Sequence, residues 1–525
     1  MATNRKQLHE RLWASAQQLR ANSSLKLNEI SEPILGLIFL KFADVRFRQA
    51  QKSIELEQSK IVGRKPPITP ENFKQKGVPF IPEGAGYEIL MSMPESKNIG
   101  KAVNEAMKLI ENANPELSGI LPQSYTTLST QQTENSQILI TLLKNFNQIP
   151  EDIEGDAFGE IYEFFLGEFA RDEGGKGGEF FTPQSIVQLI VQILQPYKGK
   201  IYDPACGSGG MFVHSAQFVA EHNKGNKSVM EEVSIYGQEK GATNMRVAKM
   251  NLAIHGLSGR IELANSFYED VHNSVGKFDY VLANPPFNVK GKDKNGQIII
   301  DPERIAGDPR YKLGLPVTAK GEITNANYLW MQIFASALSE RGRAGFVMAN
   351  SAGDSGNKEK ELRKKIIESG IVDVIISVGT NMFLNATLPC TLWFFDKAKS
   401  KAGRNDKILF INVQDIFTVV DRAHNTWTDE QISDIASIVS SYRGDQGSKP
   451  YENIKGRCAV ASLKEIESQD YSLNPGRYIE IVDQVISKTD FKKLMTEYKK
   501  EFLTLSEESR KLEKSISANW DKFDV

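Results

Sequence analysis

Cysteine is scarce in this chain: Cys206, Cys390 and Cys458 are the only three in 525 residues, and they lie far apart. That spacing excludes both a disulfide framework and a thiolate metal cluster, and no HExxH or Cys/His ligand spacing supports metal-assisted hydrolysis. No stretch approaches the roughly 18 apolar residues of a membrane span. The start, MATNRKQLHE, lacks a signal-peptide core, so the expected home is cytoplasmic with no membrane contact. Excess charge of one sign is missing as well: 64 Lys and Arg face 66 Asp and Glu. That balance argues against a freestanding DNA clamp, because DNA affinity leans on neutralising phosphates and charge would have to come from a partner. Fixed-period repeats and low-complexity tracts are also absent. What remains is a large chain, 40% hydrophobic, with material for two or three domains.

Residues 1–150 read as a helical domain. Leu8, Leu12 and Leu19, then Ile34, Leu37 and Ile38, recur at helical spacing, and ILGLIFLKFADVRF is a strongly apolar helix. The first 60 residues carry more positive than negative charge, a weak nucleic-acid signal that a solvated helix face explains better. The Pro-rich stretch 65–81 breaks the pattern, and helical patterning resumes at KAVNEAMKLIEN, 101–112. Residues 151–460 change character. An apolar helix at 161–170 leads into the glycine-rich loop RDEGGKGGEF, and Thr182 is expected to cap the next helix with Pro183 in its first turn. Strands follow at KIYDP, VSIYGQE (233–239), GRIELAN (259–265) and FDYVLAN (278–284), with helix-like segments between the first three. Such a βαβ series predicts an α/β fold with a doubly wound, mostly parallel sheet. The stretch 288–328 has few periodic apolar residues and reads as an insertion or lid. Further strands are expected at 343–349, 372–378, 391–397 and 408–414. Residues 461–525 form a tail whose helix carries Phe491, Leu494, Tyr498, Leu505, Leu512 and Ile516 in three- and four-residue steps, a stripe that wants a helical partner.

The chemistry gathers at the ends of the first four strands, where open α/β sheets bind ligands. DPACGSGG (203–210) offers a tight backbone turn and the free amides of a helix N-terminus. It matches neither GxxxxGK[ST] nor a clean GxGxxG, and Asp203 would repel phosphate; it suits a cationic or amine group. Glu239, ending the second strand, could accept both hydroxyls of a ribose, although alone it reads equally as a surface carboxylate. Asn265 could meet an adenine edge or serve as a plain turn residue. At the end of the fourth strand stands ANPPFN (283–288). Its two prolines hold the chain extended, so the Asn284 side-chain oxygen and the Pro285 carbonyl form two acceptors in one rigid frame. They could grip an NH2 group, with Phe287 stacking on the ring that bears it. Two acceptors draw the amine toward a tetrahedral arrangement and free its lone pair in the transition state, where stabilisation raises rate. A sulfonium end for Asp203, a ribose for Glu239 and an adenine for Asn265 together describe S-adenosylmethionine. Neither Cys206, in the cofactor turn, nor Cys390 is placed to attack a base; both read as buried filler.

FFTP (180–183), DPACGSGGM (203–211), GQE (237–239) and NPPF (284–287) occur in the order of amino-methylating DNA methyltransferases. More closely, the chain resembles the modification (M) subunits of type I restriction-modification systems, through LGLIFLKFADVRF, NANYLWMQ, GRAGFVMAN and LNPGRY as well. The resemblance implies site-specific N6-adenine methylation of double-stranded DNA, with the adenine flipped out of the helix. It implies cofactor contacts from Glu179, Phe180, Phe181, Thr182, Pro183 and Gln184, and from Gly207, Ser208, Gly209 and Gly210. Asn284, Pro285 and Phe287 would hold the target base, with Pro286 fixing the loop and Phe383 as a second stacking ring. The family often has an acidic residue where this chain has Asn265. The implied partners are a specificity (S) subunit docked on the helix from about 485, a second M subunit, and motor-nuclease (R) subunits. N4-cytosine methylation, protein-glutamine methylation and a non-catalytic scaffold are the alternative readings.

Overall fold

The structure, a computed structural model, describes residues 2–21, 27–60, 65–94, 98–126, 132–150, 157–173, 181–222, 229–383, 387–481 and 488–520. Its N-terminal part is helical: α1 (Ala2–Ala21), α2 (Leu27–Ser59), α3 (Ile99–Ala113), α4 (Gln132–Phe146) and α5 (Ala157–Glu173). Ile34, Leu37, Ile38 and Phe39 of α2 are fully buried among Val103 and Ile110 of α3, Leu142 of α4 and Ile161 and Phe165 of α5. Apolar residues all round one helix fit a helix surrounded by others, which is where α2 lies.

Behind this layer stands one nine-stranded sheet. Its strands are β1 (Gly199–Asp203), β2 (Val233–Glu239), β3 (Gly259–Leu263), β4 (Phe278–Ala283), β5 (Leu338–Ala349), β6 (Val372–Val378), β7 (Cys390–Asp396), β8 (Lys407–Val413) and β11 (Cys458–Ser462). Strands β9 (Thr418–Val419) and β10 (Asn425–Thr426) form a separate hairpin. The order β11-β8-β6-β7-β5-β4-β1-β2-β3 is parallel except where β7 lies between β5 and β6 and where β11 pairs with β8. The expected doubly wound, mostly parallel sheet is therefore present. β1 pairs with β2 on one side and β4 on the other, with Tyr202 opposite Val281, so the order reverses at β1/β4. That reversal is where a crevice opens above the strand ends.

Helices α6 (Gln184–Leu194), α7 (Gly210–His222), α8 (Ala242–Ile254), α9 (Asn327–Ala337), α10 (Asn357–Glu368) and α11 (Asp429–Arg443) cover the sheet. Helix α8 has two apolar faces. Ala248 and Leu252 join the core of the sheet, while Val247, Met250 and Ile254 join the core of the N-terminal helices. Arg246 of the same helix forms an ion pair with Glu32 of α2.

Two details depart from the sequence expectations, at Thr182 and at the start of β5, and the insertion between them in the chain is well packed. Thr182 does not cap α6: Pro183 is the capping residue, no side chain serves the cap, and the Pro183 carbonyl accepts from the Ile186 and Val187 amides. The insertion 288–328 is ordered, with bridges Lys292–Ile298 and Val317–Ile323 and with Ile300, Ile305, Tyr311 and Ile323 buried. Its anchors are spaced without period, and buried Arg310 donates from Nη1 to the Ser266 carbonyl at 2.7 Å, fastening it to the turn after β3. β5 begins at Leu338 rather than at 343, and its pairing with β4 is irregular between Phe278 and Tyr280.

The chain divides into two compact units, Met1–Ile479 and Glu480–Val525. Residues 461–479, which the sequence pattern places in the tail, fall in the first unit. The second contains α12 (Lys488–Trp520), along which Phe491, Tyr498, Phe502, Leu505, Leu512 and Ile516 are all exposed.

Candidate active site

Above the carboxyl ends of β1, β2 and β4 lies a cleft of about 990 Å³, at the upper end of what small-molecule sites span. Asp203, Gly207, Ser208, Gly210, Glu239 and Asn265 line it, and so do Asn284 and Pro286. Two loops some eighty positions apart thus share one cavity, because β1 and β4 are hydrogen-bonded neighbours.

The turn after β1 is shaped by its glycines. Gly207 and Gly209 have φ of +51° and +81°, a region costly to residues bearing a Cβ. The Gly209 amide donates to the Cys206 carbonyl at 2.8 Å, closing the turn before α7. Gly237 in β2 has a different reason to be glycine: a Cβ there would stand 2.6 Å from Ile261 and 3.0 Å from Cys206 Sγ. β2 thereby lets the turn settle against it.

Two carboxylates share the floor. Asp203 is buried, and Oδ1 accepts from the Ala205 amide at 2.9 Å. Burial pushes its pKa up to about 8; the Ala205 hydrogen bond opposes the rise and the nearby Glu239 charge adds to it. Glu239, also buried, accepts from Gly207 at 3.1 Å through Oε2 and from Gly241 at 2.8 Å through Oε1. A buried acidic pair of this kind suits a ligand bearing a cation and hydroxyl donors, and S-adenosylmethionine has both.

The walls come from elements that carried no site assignment in the sequence reading. Ser31 and Leu35 of α2, with Leu166, Phe169 and Asp172 of α5, close one side. Phe267, Val289, Ile299 and Trp330 make an apolar wall on another. Leu35 and Trp330 belong to stretches that carried the family resemblance, but periodicity alone presents both as core.

The remaining expected residues divide as follows. Phe181 and Thr182 line the cleft, whereas Pro183, Gln184 and Gly209 are not among its lining residues. Glu179 and Phe180 lie outside the described residues. Asn265 lines the cleft while its Oδ1 accepts from the Phe267 amide at 3.1 Å, so it is also a turn residue. Pro285 and Phe287 are not among the lining residues; Pro285 is buried, and Phe287 is half-buried against the hydrophobic cluster that contains Phe383. Phe383 is itself buried and does not line the cleft. All three cysteines are free and buried, and burial pushes the Cys206 thiol well above its usual range and that of Cys390 up to about 12. Neither is poised as a nucleophile.

Comparison with known proteins fits this arrangement. The N-6 DNA Methylase family matches residues 153–485, and the HsdM N-terminal domain matches residues 8–146. The type I restriction enzyme MjaIX methylase subunit of Methanocaldococcus jannaschii is 35% identical, over 97% of this chain and 90% of its own length. This chain belongs to the type I methylase subunits. The HindI methylase subunit of Haemophilus influenzae is also 35% identical, over 74% of this chain and 84% of that protein. The fold agrees with the type I restriction-modification methyltransferase subunit of Streptococcus thermophilus: TM-score 0.72 at 22% identity, covering 91% of this chain and all of the other. As a type I methylase subunit the chain is an adenine-specific DNA methyltransferase, acting at the amino group N6. Among the described residues no helix is long and apolar enough to cross a membrane.

Proposed function

We propose that the cleft binds S-adenosylmethionine over β1 and β2 and receives the amine of a flipped adenine at the end of β4. One observation carries this reading: Asn284 and Pro286 line the same cavity as Asp203 and Glu239. Asp203 and the turn 207–210 would hold the methionine end, Glu239 the ribose, and the wall of Phe267, Val289, Ile299 and Trp330 the adenine ring of the cofactor. When bound, S-adenosylmethionine supplies an activated methyl group on a sulfonium sulfur. The chain's own residues prepare the acceptor. Asn284 Oδ1 and the Pro285 carbonyl accept the two N–H bonds of the target amine, drawing its lone pair out of conjugation. Their benefit grows as N6 gains positive charge, so it appears in the transition state. The two prolines keep both acceptors from turning away, and line-up with the donor provides the rest of the acceleration. Phe287 and Phe383, in one hydrophobic cluster, would meet the ring of the extruded base once DNA is engaged.

An amine inside a duplex cannot reach this cavity, so the target nucleotide must leave the stack. With a net charge of -2, the subunit is poorly equipped to hold duplex DNA alone. We assign sequence reading to a specificity subunit docked on α12, with a second copy of this chain and motor-nuclease subunits completing the restriction complex.

The test is transfer of labelled methyl from S-adenosylmethionine to DNA by the complex with its specificity subunit, followed by nucleoside analysis. N6-methyladenine is the expected product, and N4-methylcytosine or protein-bound label would refute the assignment. Asn284→Ala should leave cofactor affinity within about twofold while lowering turnover by about two to three orders of magnitude, the scale of losing preorganised transition-state contacts.

A further inference from the structure

Beyond the groups that touch the base, the structure shows how the base-holding loop is kept in place. Asn288, the residue after Phe287, has φ of +55°, in the left-handed region that asparagine tolerates better than most residues. Three hydrogen bonds fix this reversal to the segment that opens α9. The Asn288 amide donates to Asn327 Oδ1 at 2.9 Å, and Asn327 Nδ2 donates back to Asn288 Oδ1 at 3.0 Å. Asn325 Nδ2 donates to the same Asn288 oxygen at 2.9 Å. The Asn327 amide donates to Asn325 Oδ1 at 2.9 Å, and the Ala326 amide to the Val289 carbonyl at 2.8 Å. Asn327 is only 1% exposed and begins a helix most of whose residues are buried.

The loop is therefore held at both ends. At one end β4 is paired with β1 and β5, Ala283 lying opposite Phe346. At the other, Asn288 is clamped to Asn327. Between them Pro285 and Pro286 stiffen the chain, but a stiff segment with one loose end still swings as a unit. A displacement of about 1 Å at a reacting centre can cost on the order of a hundredfold in rate. We infer that Asn288 and Asn327 are positioning residues for methyl transfer: their paired amides fix where Asn284 and the Pro285 carbonyl meet the substrate amine. This rests on the proposed role of Asn284.

The hydrogen-bond chemistry makes the inference separable from general stability. Asn288 Oδ1 only accepts, so Asn288→Asp keeps both acceptor contacts and tolerates the left-handed conformation. Asn288→Gly keeps the conformation and removes the acceptor. Asn327 both donates and accepts, so Asn327→Ala removes its half of the clamp. Each variant would be assayed in the full complex with the specificity subunit, with cofactor-binding sites counted by calorimetry and turnover expressed per site. Asn288→Asp is expected within about threefold of wild type. Asn288→Gly and Asn327→Ala should lose at least tenfold in kcat, with KM for S-adenosylmethionine within about twofold. Should Asn327→Ala fail to fold, Asn288→Gly, at an exposed position, carries the test. If Asn288→Gly turns over like wild type while Asn284→Ala is inactive, the positioning role is overturned and the functional reading stands. If Asn284→Ala is fully active, the functional reading itself has failed. Equal losses in Asn288→Asp and Asn288→Gly would also overturn the inference, since the acceptor would then not be what matters.

Discussion

Asp203 shows what a strand-end residue gains from its surroundings. Its folded pKa, pushed up to about 8, lies above the usual carboxylate range, so between these values the folded chain binds more protons than the unfolded one. Its contribution to stability therefore falls as pH rises through that window. A cationic ligand inverts this balance by favouring the ionised form. S-adenosylmethionine affinity should then rise with pH toward about 8, by at most about tenfold per unit, with proton release visible in calorimetry across buffers. Asp203→Asn should bind more weakly and lose the slope; an unchanged slope would remove Asp203 from the cation's site. Residues of this kind were legible in the sequence because strand ends, glycine turns and paired prolines each have a local cause. Ser31, Leu35 and Phe169 were not, since nothing local distinguishes a cleft wall from a buried helix face. The clamp between Asn288 and Asn327 joins positions 39 apart, and only the folded chain reveals it.

At the level of elements, a charge network lies at the amino end of β6, whereas the cleft lies over the carboxyl ends of β1, β2 and β4. Asp373 is fully buried and accepts from Arg443 Nε at 3.0 Å and from Arg404 Nη1. Burial alone would raise its pKa, but Arg443, Arg404 and Lys399 together outweigh that and hold it low. Arg443 Nη1 also donates to the Ile193 carbonyl at 2.7 Å, so the network binds α11 to α6. Its stabilisation is present above the ordinary carboxylate range and is lost as pH falls through the depressed value. Asp373→Asn should destabilise the chain by about 3–5 kcal/mol, the cost of leaving buried guanidinium groups uncompensated. Denaturant unfolding should show a lower midpoint at an unchanged slope. Strand and helix types were mostly readable from period and composition. The differences are at ends: Thr-Pro commonly opens helices, which makes Thr182 the expected cap, yet Pro183 holds that place. β11 is not legible because CAVAS is only five residues long and its first four residues are all apolar, so no polar alternation marks it.

On the scale of the molecule, the doubly wound sheet and its switch point at β1/β4 were foreseeable from the βαβ series, and the cleft sits there. The antiparallel insertion of β7 was not, because strand direction depends on connections that composition does not encode. Among the described residues helix α12 carries an exposed apolar stripe, the surface proposed above for the specificity subunit. Removing residues after 485 should leave the melting temperature of the main unit within about 2 °C, since a compact unit carries its own core. Co-purification with the specificity subunit should be lost; its retention would place that contact elsewhere.

Helix α8 bears on any attempt to redesign the enzyme. Because Val247, Met250 and Ile254 are seated among the N-terminal helices while Ala248 and Leu252 are seated under the sheet, residues 1–150 cannot be exchanged as a cassette. A chimaera joined near residue 150 would press one parent's α8 against another parent's helices and distort the first turn, where Thr243 and Asn244 face the cleft. Grafts that respect this molecule should be spliced after Ile479, where the first compact unit ends.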